Sequence, residues 1–154
     1  MPRTYTVEAE NFGVNPVFGD VDLLDFPPIA NKPIELFGFE IYSLDELQEA
    51  QEEWLRFRII TGHTVASNGG SITPQPVCPG DAAFGVSVVA GGATIASGGT
   101  PIQSESFAFN VRRGRSIFLP DGYWADTTRL VVRLLAAPVD IVSLTFTAWF
   151  RQHP

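Results

Sequence analysis

Asp140-Ile141-Val142-Ser143-Leu144-Thr145-Phe146-Thr147-Ala148-Trp149-Phe150-Arg151 is the stretch that decides the fold. Val142, Leu144, Phe146, Ala148 and Phe150 form one unbroken apolar set, and Ile141, Ser143, Thr145, Thr147 and Trp149 fall on the opposite side. A period of two sustained over this length is a β-strand with one face in a core. A strand this apolar would aggregate if left at an edge, so it is expected inside a sheet.

Working outward, the same period recurs. Residues 4–10 place Tyr5, Val7 and Ala9 on one side, and residues 34–42 make a second strand in which Gly38 marks a bulge. From Glu53 onward Leu55, Phe57 and Ile59 alternate with Trp54, Arg56, Arg58 and Ile60. Further short apolar runs lie at 83–89, 93–96, 106–111, 116–119 and 128–135, cut apart by Gly and Pro, with Gly91-Gly92 and Gly98-Gly99 read as hairpin turns. Strands at these spacings predict an all-β protein, an antiparallel, jelly-roll-like β-sandwich. Ser43-Leu44-Asp45-Glu46 is a capping box in which the Ser hydroxyl and Glu carboxylate satisfy free amides, so one short helix is expected over residues 43–51.

The chain of 154 residues fits one domain, 1–154, large enough to bury a core without disulfides, and Cys78 stands alone. Residues 11–33 hold Gly13, Pro16, Gly19, Pro27, Pro28 and Pro33 among three aspartates, a density of breakers that predicts an extended N-terminal arm. Its apolar side chains, Phe18, Leu23, Leu24 and Phe26 among them, need cover, so the arm is expected to lie on the body of its own subunit or on a neighbour. Residues 62–81 read as a long loop that is either functional or ordered by a partner.

Chemistry is sparse. His63 and His153 have no His, Cys or carboxylate at ligand spacing, and Cys78 has no neighbouring base. Asp20, Asp22 and Asp25 suggest oxygen ligation but lack the Gly and distal Glu of a calcium loop. The acids at 45–53 read as a solvated helix face. The expectation is a protein without catalytic, cofactor or metal residues, and not an enzyme. A formal charge of −7 disfavours nucleic acid and acidic membranes as partners. The charge is uneven: residues 1–53 carry 12 acids and 2 bases, residues 54–154 carry 5 acids and 8 bases. The N-terminus shows no apolar leader core, so a soluble product made in the cytoplasm is expected.

Two surface motifs remain. Arg112-Arg113-Gly114-Arg115 falls at a turn between strands, where Arg112, Arg113 and Arg115 project together to meet carboxylates of a partner. Tyr123 and Trp124, after Asp121-Gly122, read as loop aromatics suited to an interface or a sugar platform.

The segment from Ser43-Leu44-Asp45-Glu46 through Trp54-Leu55-Arg56-Phe57-Arg58-Ile59, the loop Ser71-Ile72-Thr73-Pro74-Gln75-Pro76, the strand-turn Phe109-Asn110-Val111-Arg112-Arg113-Gly114 and the strand Leu130-Val131-Val132-Arg133-Leu134 together resemble small β-sandwich proteins of tailed bacteriophages. Those proteins decorate or cement the icosahedral head, often as trimers. The resemblance implies a structural virion protein on the capsid surface, made in the host cytoplasm, with the major capsid protein and copies of itself as partners. The alternative is a carbohydrate-binding sandwich, free or on a virion, with Tyr123, Trp124 and Trp54 as its platform.

Overall fold

The computed structural model describes residues 1–43 and 53–154. They form eleven strands: β1 (Arg3–Val14), β2 (Val21–Phe26), β3 (Ile34–Tyr42), β4 (Trp54–His63), β5 (Gly70–Ile72), β6 (Gln75–Pro76), β7 (Val88–Gly92), β8 (Ile102–Asn110), β9 (Arg115–Ala125), β10 (Arg129–Leu135) and β11 (Val142–Gln152). No helix occurs among the described residues, and the helix expected over 43–51 lies, from Leu44 on, outside them.

Two antiparallel sheets result, one ordered β6-β1-β11-β3-β9 and the other β5-β7-β2-β10-β4-β8. Their inner faces share one core. Phe39 of the first sheet lies 4.9 Å, ring centre to ring centre, from Phe57 of the second, and Phe150 lies 4.9 Å from Phe26. Such offset and edge contacts add to the area the rings remove from water. The pairing is nested: β1 pairs with β11, β2 with β10, β3 with β9 and β4 with β8. A folded-back ribbon is thereby wound up, and the β3–β11 and β4–β10 ladders close the winding.

The strand read first behaves as its pattern requires. β11 sits between β1 and β3, with Val142, Leu144, Phe146, Ala148 and Phe150 in the core. The bulge expected at Gly38 is present as an unpaired Phe37, since Leu36 pairs with Phe150 and Tyr123 while Gly38 pairs with Trp149 and Phe118. A Cβ at position 38 would approach Phe118 Cε1 to 2.9 Å and Trp149 Cε3 to 3.2 Å, which is why the position is Gly.

The N-terminal arm is not found. β1 runs on to Val14, and residues 21–26 form β2, a central strand of the second sheet with all six residues buried. The Gly and Pro residues around it punctuate the strand ends. β2 escapes a period-two reading because both its faces are covered and Asp22 and Asp25 occupy the outer one.

Residues 62–81 are likewise not free: they contain β5 and β6, and the stretch 64–68 folds over the outer face of the second sheet. There Val65 and Ser97 exchange backbone hydrogen bonds of 2.9 and 3.1 Å. The segment 93–96, expected as a strand, belongs to this cover, where Ala96 packs with Ile60 and Val131 in a small second core. Gly91 and Gly92 lie in β7 rather than at a hairpin turn.

Candidate functional site

The cover is fastened by two buried ion pairs. Asp22 and Asp25 face outward on β2 beside Arg133 and Arg129 of β10. Arg133 Nε donates to Asp22 Oδ1 at 2.6 Å, and the Ala96 amide donates to Asp22 Oδ2 at 2.6 Å. Arg129 Nε donates to Asp25 Oδ1 at 2.6 Å, while the amide and hydroxyl of Ser67 donate to Asp25 Oδ2 at 2.8 and 3.0 Å. Burial pushes the Asp22 carboxyl above the ordinary carboxylate value, against the pull of Arg133 and the Ala96 amide.

His63, at the end of β4, closes the cluster. Its Nδ1 lies 3.1 Å from the Gly98 carbonyl and its Nε2 lies 3.5 Å from an Arg133 nitrogen, which assigns the proton to Nδ1. The aspartates that suggested a calcium site are thus acceptors for arginine and backbone amides. No group of three or more His, Cys, Asp or Glu able to hold a metal ion occurs among the described residues.

At one pole of the sandwich the arginine turn joins β8 to β9, closed by the Asn110–Gly114 bridge. Arg115 donates to the Ala108 carbonyl at 2.6 Å and lies over the Phe107 ring. Trp54, 67 % exposed, pairs with Asn110, and Arg56 pairs with Ala108 on the same outer face. Arg58, further along β4, reaches toward the other end of the ladder and bonds Gln103. On the opposite outer face, Glu8 and Glu40 flank Thr147 in one cross-strand row, with Glu10 exposed further along β1.

The other expected contact residues separate. Phe18, in the β1–β2 turn, is 42 % exposed. Leu23, Leu24 and Phe26 are fully buried in the core, so no partner can reach them. Tyr123 and Trp124 lie in β9 rather than in a loop, where alternation divides them. Tyr123 packs against the core, and Trp124 points outward, 50 % exposed. The three-residue sugar platform does not assemble, since Trp54 lies at the arginine pole.

Trp124 belongs to an arrangement that the spacing of residues does not reveal. It pairs with Glu35 across β3, and Glu35 pairs with Arg151 across β11. The Glu35 carboxylate accepts from Arg151 at 3.0 Å and bonds His153 Nε2 at 2.9 Å, and the His153 ring lies against Trp124, tilted by 36° with centres 4.3 Å apart. Burial would raise the Glu35 carboxyl, but the His153 hydrogen bond and the Arg151 guanidinium outweigh it and hold the group below its usual value. In front of Trp124 opens a cleft of about 430 Å³, walled by the end of β4, residues 99–102 and the β9–β10 turn. In sequence, the only sign of this cluster is a carboxylate set between apolar Ile34 and Leu36.

Compared with protein-family models, with curated proteins and with solved structures, the chain matches none.

Proposed function

We propose that this protein is a structural component of a bacteriophage virion, a jelly-roll sandwich that binds the outer surface of the capsid and stabilises it through shell contacts and self-association, as a trimer. The observation that carries this reading is the placement of Arg56, Arg112, Arg113 and Arg115 near exposed Trp54 at one pole of a chain whose formal charge is −7. An aromatic anchor with guanidinium groups nearby suits docking on an acidic protein surface. The nested ladders support the jelly-roll description: β1, β2, β3 and β4 each pair with their counterpart counted back from β11. Glu8, Glu10 and Glu40 on the opposite face offer a complementary surface for a second copy.

The test is co-sedimentation with shells assembled from the major capsid protein of the phage that encodes this chain. Saturation at a fixed number of copies per shell is expected, with binding lost in the double variant Arg56→Glu/Arg113→Glu at unchanged melting temperature. Absence of wild-type protein from the shells, or binding indifferent to the charge reversal, would overturn the reading.

A further inference from the structure

We infer that the cleft in front of Trp124 is a saccharide-binding site, a role independent of the capsid assignment and placed at the pole opposite the arginine turn. Ala125 pairs with Ile34 and Arg115 with Ile41, so the two features are separated by seven residues of β3, about 23 Å at the rise of an extended strand. A shell-bound molecule held by its arginines would present this cleft outward.

The lining selects the ligand. Thr61, Thr64, Thr100, Thr127 and Thr128 line the cleft together with Asp126, and Trp124 and Ile102 supply apolar surface. Among the described residues no cationic side chain lines it, so phosphate and carboxylate ligands lack a counter-charge there, and Asp126 repels them. A pyranose ring has what the lining complements: C–H faces that pack on an indole, and hydroxyl edges that exchange hydrogen bonds with threonine and aspartate. Most small-molecule sites combine an apolar wall with a few placed polar groups in this way.

The walls are held in advance of any ligand. Beside Trp124, the buried Glu35 fixes His153, and the His153 ring packs at a tilt against the indole while half of the Trp124 surface stays exposed. At the floor, Gly62 has φ of +100° and Gly99 has φ of +66°, and the two backbones touch. A Cβ at Gly62 would lie 2.1 Å from the Thr100 carbonyl oxygen, and one at Gly99 would lie 2.0 Å from that of Gly62. The Gly62 amide also donates to Thr128 Oγ1 at 3.2 Å, tying the floor to the start of β10. Rigid walls reduce the ordering cost of binding, which suits a shallow site for weak, repeated contacts.

The experiment uses the full chain on a printed panel of microbial surface polysaccharides together with maltohexaose, cellohexaose and chitohexaose, with any hit followed by titration calorimetry. Binding to at least one saccharide is expected. It should weaken by about tenfold or more in Trp124→Ala, the loss of one stacked ring, and also weaken in Thr127→Val, which spares the strand pairing. Trp54→Ala should bind as wild type. The inference is overturned if no saccharide binds, if binding survives both cleft substitutions, or if only Trp54→Ala abolishes it. A wild-type melting temperature for Thr127→Val keeps the test valid should Trp124→Ala unfold.

Discussion

Asp22 shows how a charged group is held out of water, beneath the segments that cover the outer face of the second sheet. Its carboxylate meets Arg133 and the Ala96 amide, so removing it strands a guanidinium that is itself buried. Asp22→Ala should lower unfolding free energy by about 3–5 kcal/mol, whereas Asp22→Leu with Arg133→Met should cost much less, because both desolvated charges then disappear together. Urea denaturation of the three proteins measures the difference, and equal losses in single and double variants would refute the pairing.

Glu35 makes a prediction in pH. Its folded-state affinity for protons is below that of the unfolded chain, so its contribution to stability is present above the ordinary glutamate value of 4.5 and is lost as pH falls through the lower folded value. Thermal melts should therefore drop on acidification below that value, less steeply in Glu35→Gln. A variant as acid-sensitive as wild type would show that Glu35 has no such role. Neither partnership is legible in one dimension: Asp22 and Arg133 are 111 positions apart, and Glu35 and His153 are 118 apart. The sequence pattern singled out Asp22 and Asp25 only as oxygen donors, since nothing local shows that arginines of β10 come to lie beside them.

At the scale of elements, alternation announced β11, β3 and β4 and an apolar run announced β10, whereas β2, with aspartates on its roofed outer face, did not show itself. β11, β3 and β4 follow the period-two pattern residue by residue, and the Gly38 bulge was readable because a Gly amid apolar residues has few other uses. β2 was hidden by the loops that roof it, and those loops were misread for the same reason. Gly62 tests how tightly the roof is seated. Gly62→Ala must place a Cβ against the Thr100 carbonyl at positive φ, and should destabilise by more than about 1 kcal/mol. Gly80→Ala, at φ of +95° with nothing within 4 Å, isolates the backbone component and should lose less. Calorimetric melting of the pair decides it, and equal losses would mean that the 62–100 contact is looser than described.

Across the whole molecule, nested ladders place chemically different surfaces where they cannot interfere. Arg56, Arg112, Arg113 and Arg115 lie at one pole, the threonine cleft at the other, and Glu8, Glu10 and Glu40 on a sheet face between them. The arginines of β4 and of the β8–β9 turn come from the basic part of the chain, and Glu8, Glu10 and Glu40 from the acidic part. Their position could not be read, because it depends on the winding that brings β4 and β8 together far from β1. The expected apolar arm dissolved into the core for a related reason: a two-sheet body needs Leu23, Leu24 and Phe26 inside it.

The pairing of Arg3 with Gln152 has a practical side. These two positions are neighbours in one ladder, in the same cross-strand row as Ile34 and Ala125, hence at the cleft pole. A reporter, an epitope or a second module fused to either end would leave the body side by side with one fused to the other, on the side turned away from the arginine turn. The scaffold thus offers two adjacent attachment points for display, and a linker of a few residues could join them into a circular chain without crossing either sheet.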